Sequence, residues 1–187
     1  MSETDLKLNG SNILLGITGG VAAYKAVDLA SKLTAAGAKL NCIMTDNACQ
    51  LVRPKSFEAV TQQPVFTGMW SSPQDHKINH ISLAQQADVV VVAPATANII
   101  AKIAAGICDD LLSTTLCVCW NKPVIIAPAM NSNMWSNPAV QKNVETIKQM
   151  KFTLIGPQTG RLACGSAGPG RMAEPADIVK AIEKIVG

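Results

Sequence analysis

The sequence predicts one α/β domain, a parallel sheet flanked by helices, and three observations carry that expectation. Short apolar runs at residues 12–17, 88–93 and 124–127 are continuous rather than alternating, the pattern of strands covered on both faces. Most of these runs stop at turn chemistry and give way to a helical pattern, as in a chain of βα units. The 187 residues suit one domain with a full core, and 48% hydrophobic against 16% charged residues leaves ample material for it.

The same composition narrows the function. So low a charged fraction points to a surface partly covered by other subunits. A net charge of +3 with no block of Lys and Arg argues against a nucleic-acid partner. No apolar run approaches the roughly 20 residues of a membrane span, so no membrane partner is expected. Met1 to Asp5 are polar and partly acidic, unlike a signal peptide, and residues 1–11 read as a flexible tail before a domain over 12–187. The six cysteines form no CxxC pair and read as reduced thiols of a cytoplasmic protein. Two histidines without a carboxylate cluster give no metal site.

Residues 12–17 run into Thr18-Gly19-Gly20-Val21-Ala22-Ala23, then a helix to about Ala36. Ala22, Ala26, Leu29, Leu33 and Ala36 form its apolar stripe, with Lys25, Asp28 and Lys32 opposite, and Gly37 closes it. Paired glycines at a strand-to-helix turn let a ligand approach the backbone, and free N–H groups with the helix dipole favour phosphate. Tight turning alone also explains a glycine here, and the pattern is neither GxGxxG nor a P-loop. Residues 39–44 form the second strand. At its carboxyl end Thr45 and Asp46 either meet a ligand or cap the next helix. A short helix over 56–62 and a short strand at Val65-Phe66 follow.

Residues 68–79 make a polar loop of functional length. It delivers His76, which reads as a solvated loop residue, and His80, which is suited to proton transfer near neutral pH. The strand 88–93 ends in Pro94-Ala95-Thr96-Ala97-Asn98. There Thr96 and Asn98 either cap the helix 99–105 or face the ligand side of the sheet. A further helix starts within Cys108 to Thr115. Asp109 and Asp110 suit its N-terminus, and Cys117 and Cys119 read as core.

The strand 124–127 opens into Pro128-Ala129-Met130-Asn131-Ser132-Asn133-Met134-Trp135. This releases amides, thioethers and an indole at the carboxyl end of a strand, where open α/β sheets bind ligands. Asn131 offers donors and acceptors there, and Met130, Met134 and Trp135 offer soft apolar surface; taken alone, the segment reads equally as a loop and helix start that simply pack well. A helix from Pro138 to about Met150 and a last strand over 152–155 complete the sheet. Residues 156–172, with five glycines and two prolines, form a loop of lid or clamp length. Cys164 lies in it between Arg161 and Arg171, either a reactive thiol near positive charge or an incidental thiol of a flexible surface loop. Pro175 opens a closing helix with Ile178, Ile182 and Ile185 on one face.

Taken in order, Gly19 to Lys25, His80-Ile81, Ala93 to Asn98, Pro128 to Trp135, and Leu162-Ala163-Cys164-Gly165 with Gly170-Arg171-Met172 resemble the homo-oligomeric flavin-containing cysteine decarboxylases. The resemblance runs from about Asn12 to Pro175. Within that family it is strongest to the enzymes of coenzyme A biosynthesis that act on 4′-phosphopantothenoyl-L-cysteine.

The resemblance implies a Rossmann-like (flavodoxin-like) fold with FMN at the carboxyl edge of the sheet. It places the FMN phosphate on Gly19, Gly20 and Val21, with Thr45, Thr96, Asn98 and Ala129 near the cofactor. It implies His80 as the active-site base, Asn131 as the grip on the substrate carboxylate, and Cys164 as the acid of the final reduction. Met130, Ala163, Gly165 and Arg171 become further substrate contacts, and residues 156–172 the clamp. The implied assembly is a trimer or four trimers with the site at a subunit contact. The implied chemistry is oxidation of the cysteine thiol carbon to a thioaldehyde, loss of carbon dioxide, and re-reduction of the enethiolate, with FMN taking and returning the hydride. Family alternatives are an oxidative decarboxylase of C-terminal peptidyl cysteine and a non-catalytic phosphatase-regulating relative. Cys164 together with His80 and Asn131 favours the full redox-neutral cycle. Ser166 departs from the acid often found after the Cys-Gly pair, and no ligase domain is expected after the decarboxylase domain.

Overall fold

A computed structural model describes residues 7–70, 79–163, 165 and 167–186 of the 187. The chain begins its sheet with β1 (Asn12–Ile17), continues through α1 (Ala23–Ala35), and returns in β2 (Lys39–Met44). Two short helices, α2 (Asp46–Leu51) and α3 (Pro54–Thr61), lead to β3 (Val65–Phe66). Then come α4 (Asn79–Gln86), β4 (Val89–Ala95), α5 (Ala97–Ala105), α6 (Leu111–Val118) and β5 (Val124–Pro128). The one-turn α7 (Ser132–Trp135), α8 (Pro138–Gln149) and β6 (Thr153–Leu154) follow. The chain closes with β7 (Gln158–Arg161), β8 (Ala167–Arg171) and α9 (Pro175–Val186).

The main sheet has the order β3-β2-β1-β4-β5-β6, and its pairs are parallel. Side chains alternate across it. Ile13, Leu15 and Ile17 pack with α1, α3 and α9 on one face, while Leu14, Val90 and Val92 pack with α4, α5, α6 and α8 on the other. Every residue of β4 and β5 is buried, which is why both read as unbroken apolar runs. Strand order reverses between β1 and β4, and such a switch point opens a crevice at the carboxyl ends of the strands.

Several expectations change. Leu8 is fully buried against this core, and its N–H donates to Ala36 O at 3.1 Å, so Leu8 packs with the domain although it falls within the expected tail over 1–11. Residues 79–86 form helix α4, which went unread because Leu83 and Ala84 are its only buried residues and leave almost no periodicity. Lys25 does not face solvent, since a contact from the far end of the chain covers it. Cys119 is core, and burial pushes its thiol up to about 11, but Cys117 is exposed. The segment 156–172 is not a simple loop. Its β7 and β8 pair antiparallel as a second, two-stranded sheet, with a register irregularity between Gln158 and Thr159. Among the described residues no helix is long and apolar enough to cross a membrane.

Candidate active site

The crevice is assembled where β1, β4 and β5 end. Thr18, 2% exposed, follows β1 directly. Its Oγ1 donates to Pro94 O at 2.7 Å and accepts from Thr96 N at 3.1 Å. These bonds clip the end of β1 to the end of β4 across the switch point. Thr18 was passed over in the sequence, where the signal was a lone hydroxyl between an apolar run and two glycines.

The two glycines that follow are different in kind. A Cβ on Gly19 would lie 2.4 Å from Asn47 Cβ, so packing against the start of α2 demands glycine there. A Cβ on Gly20 would meet nothing closer than Thr96 Cγ2 at 3.4 Å, so tight packing explains Gly19 and leaves Gly20 as open floor. The helix behind them is open as well. Thr45 accepts from Ala48 N to cap α2, Thr96 from Ile99 N to cap α5, and Asp110 from Ser113 N to cap α6. Helix α1 has Ala22 at its N-cap position and so no side-chain cap, which leaves its N-terminal dipole available to an anion.

Two adjoining hollows meet at Gly19, Thr96, Ala97 and Met134. The first, about 380 Å³, lies between the start of α1, the segment Ala129–Asn131, and the β7–β8 hairpin. It gathers Gly19, Gly20, Val21, Ala129, Met130, Asn131, Ala163 and Arg171 from the expected site, together with Tyr24, Lys25 and Arg161, which the sequence reading did not assign to it. The second, about 660 Å³, is lined by Thr45, Thr96 and Asn98, with Trp70 and Lys102 among the other lining residues.

Asn131 caps α7, its Oδ1 accepting from Asn133 N at 2.8 Å, and this sets the carboxamide at the mouth of β5. The hairpin presses on that segment. Met130 N donates to Gly170 O at 2.9 Å. Gly170 has φ +137°, and a Cβ there would fall 2.1 Å from Met130 O, so only glycine permits the approach. Gly168 packs over Ser132, whose buried Oγ has no hydrogen-bond partner among the described residues.

The charges of the two hollows differ. In the second, Lys102 reaches Asp109 Oδ1 at 2.7 Å and Asp110 Oδ2 at 2.6 Å, so its charge is matched. Burial raises the Asp110 carboxyl, but Lys102 and the Ser113 N–H outweigh it and hold it below the usual range. The first hollow has Lys25, Arg161 and Arg171 on its wall, with Glu174 bridging Lys25 and Arg171 behind them.

Other expected residues lie apart. His80 is half-buried in the first turn of α4 and borders neither hollow of its own chain. Gly165 sits in the hairpin turn at φ +87°, its N–H donating to Leu162 O at 3.0 Å, outside both linings. Cys164, Ser166 and His76 lie outside the described residues.

The family model described as "Flavoprotein" matches residues 1–187. The coenzyme A biosynthesis bifunctional protein CoaBC of Bacillus subtilis (strain 168) is 48% identical over 177 residues, 95% of this chain and 43% of that protein. The chain thus spans less than half the length of that relative. Among solved structures, a cysteine-to-serine mutant of PPC decarboxylase complexed with pantothenoylaminoethenethiol matches with TM-score 0.83 at 34% identity, covering 93% of this chain and 97% of that one. The FMN binding protein AtHal3 matches with TM-score 0.81 at 34% identity, covering 94% and 96%.

Proposed function

The chain belongs to the flavoprotein family, and from that premise we propose that it is an FMN-dependent decarboxylase converting 4′-phosphopantothenoyl-L-cysteine to 4′-phosphopantetheine in coenzyme A biosynthesis. One adjacency carries the reading. The open, uncapped Gly20–α1 turn and the carboxamide-bearing Asn131 share one hollow beneath a glycine-pinned hairpin. A site that takes a phosphate on one wall and a carboxylate on the other needs that arrangement.

FMN fits the residues present: Gly20 leaves its floor open, α1 leaves an uncapped N-terminus for the phosphate, and the second hollow adjoins both. Gly19, Gly20 and Val21 would hold the phosphate, with Thr45, Thr96, Asn98 and Ala129 around the rest. When bound, FMN supplies the two-electron acceptor and donor that a bare amino-acid carboxylate lacks. The Asn131 carboxamide orients the departing carboxylate, with Met130, Ala163 and Arg171 lining the substrate's path, and Gly165 serves the hairpin turn above it rather than the lining. The hairpin shields the reacting carbon from water. His80 takes the proton of the substrate thiol, and Cys164 Sγ–H delivers the final proton to carbon.

His80 borders neither hollow of its own chain, while the exposed side chains of Val21, Tyr24, Met134 and Trp70, the last 91% exposed, ring the mouths. Both facts support an oligomer, a trimer or four trimers, in which His80 of one copy completes the site of the next. Free thiols at Cys42, Cys49, Cys108, Cys117 and Cys119 suit a cytoplasmic enzyme.

The direct experiment is to load the protein with FMN, incubate it with 4′-phosphopantothenoyl-L-cysteine, and weigh the product. Formation of 4′-phosphopantetheine with no added reductant is expected. A colourless protein that takes up no flavin, or release of the oxidised enethiol alone, sinks the reading. Mixing inactive His80→Asn and Asn131→Ala chains after partial dissociation should restore turnover by forming hybrid sites. Turnover that stays at background in the mixture rejects a shared site.

A further inference from the structure

We propose that Glu174 is a positioning residue, holding Lys25 and Arg171 as a cation pair on the wall of the first hollow so that the closed hairpin presents both to an anionic group of the substrate. The inference rests on the decarboxylase reading for the identity of that substrate.

Glu174 follows β8 by three residues, just before α9, and it does not line the hollow. Its Oε1 accepts from Lys25 Nζ at 3.0 Å and from Arg171 Nη2. Both donors do line the hollow, and they come from elements far apart in sequence: Lys25 from α1 and Arg171 from the last residue of β8. Lys25 is 11% exposed, too enclosed to be an ordinary surface lysine. A buried ammonium needs a partner, and two cations on one wall repel unless a carboxylate lies between them. Glu174 meets both needs with one oxygen.

The bridge also crosses a structural joint. Arg171 ends the hairpin strand that Gly170 docks on Met130, while Lys25 belongs to the helix behind the glycine turn. Glu174 therefore ties the root of the hairpin to the α1 wall of the hollow that also holds Asn131. Without it, Arg171 can swing to solvent and the hairpin root loses its ionic tether, although β7 keeps the Gln158 Nε2 bond to Asp177 at 3.2 Å. The flavin-side glycines and Asn131 are untouched. Substrate capture should suffer, and the chemical step much less.

The experiment compares FMN-loaded wild type with Glu174→Gln and Glu174→Asp. Glu174→Gln should raise KM about tenfold, the loss expected of a charge-assisted bridge, with kcat within about threefold of wild type. Flavin content and melting temperature should match wild type. Glu174→Asp should recover part of the KM, since it keeps the charge on a shorter arm. In a Lys25→Met/Arg171→Met background, adding Glu174→Gln should move KM by less than about twofold, because a residue acting through those two has nothing left to position. A further rise in that background, or an unchanged KM in the single variant, overturns the proposal. Hydrogen exchange gives a readout independent of turnover: amides of residues 167–171 should exchange faster in Glu174→Gln while those of β4 and β5 do not. If wild type fails to decarboxylate the substrate, the functional reading falls while the exchange result still decides the tether. Unchanged exchange at 167–171 in Glu174→Gln overturns the tether.

Discussion

The parallel sheet and the β7–β8 hairpin meet at the same site but are held by opposite means. Strands β4 and β5 are buried at every residue, and their stability is spread over many methyl groups on two faces. The hairpin strands bury only Gly170 and contribute little to the core. Among the described residues its position rests on a few contacts: the backbone bond from Met130 to Gly170, the close fit of Gly168 and Gly170, the Gln158–Asp177 bond, and the charged bridge at its root. A change in the sheet should therefore cost stability, and a change in the hairpin should cost function.

The largest effect tests the sheet. Ile126→Ala removes a fully buried side chain from the middle of β5 and should cost about 2–5 kcal/mol. For a domain of this size that lowers the melting temperature by roughly 2–4 °C per kcal/mol, read from a thermal melt. Turnover per folded molecule, measured well below the transition, should stay near wild type. A variant that melts normally but turns over poorly would reverse the assignment of roles.

Gly170→Ala is the counterpart in the hairpin. Its Cβ collides with Met130 O, and a non-glycine residue forced into an unfavourable backbone region costs on the order of 1–3 kcal/mol. The inexpensive relief is for the hairpin to move away from Met130 rather than for the sheet to yield. Turnover should fall by roughly ten- to a hundredfold with little change in melting temperature or flavin content, checked by steady-state kinetics beside a melt. A large fall in melting temperature would mean that the hairpin belongs to the core after all.

This contrast also explains what could be read from the sequence. The strands β1, β4 and β5 were legible because burial on both faces forces continuous apolar runs, and α1 because its buried positions repeat every three to four residues. The hairpin was not, since residues 156–172 carry no alternation and their pairing is supported from outside, by docking on Met130–Ser132. The site divides the same way. Asn131 and the paired glycines stood out because strand-end chemistry is local. Thr18 and Lys25 did not, because their partners Pro94 and Glu174 are 76 and 149 residues away. His80 was legible as a residue type, yet its place at the start of α4 puts it outside its own chain's hollows.

The smallest effect separates the two regions by acid. The Lys25 ammonium first, and then Arg171, hold the Glu174 carboxyl below its ordinary value. A carboxyl depressed in the folded state stabilises fully above its unfolded value, about 4.3, and loses that contribution as pH falls through the lower folded value. Glu174 is 42% exposed, so solvent screening keeps the contribution small, well under about 1 kcal/mol. Among the described residues the core on both faces of the sheet is built of apolar side chains, with no such bridge within it. Lowering the pH from 5 towards 3 should therefore loosen the hairpin while far-ultraviolet circular dichroism still reports an intact sheet. Brief digestion with an acid-active protease should show cleavage within residues 158–171 rising over that interval. Glu174→Gln should cleave at the loosened rate throughout, which isolates the bridge from Asp177 at the same root. If hairpin cleavage and loss of the dichroic signal rise together in wild type, the hairpin has no separate acid-sensitive anchor and the two regions are one cooperative unit.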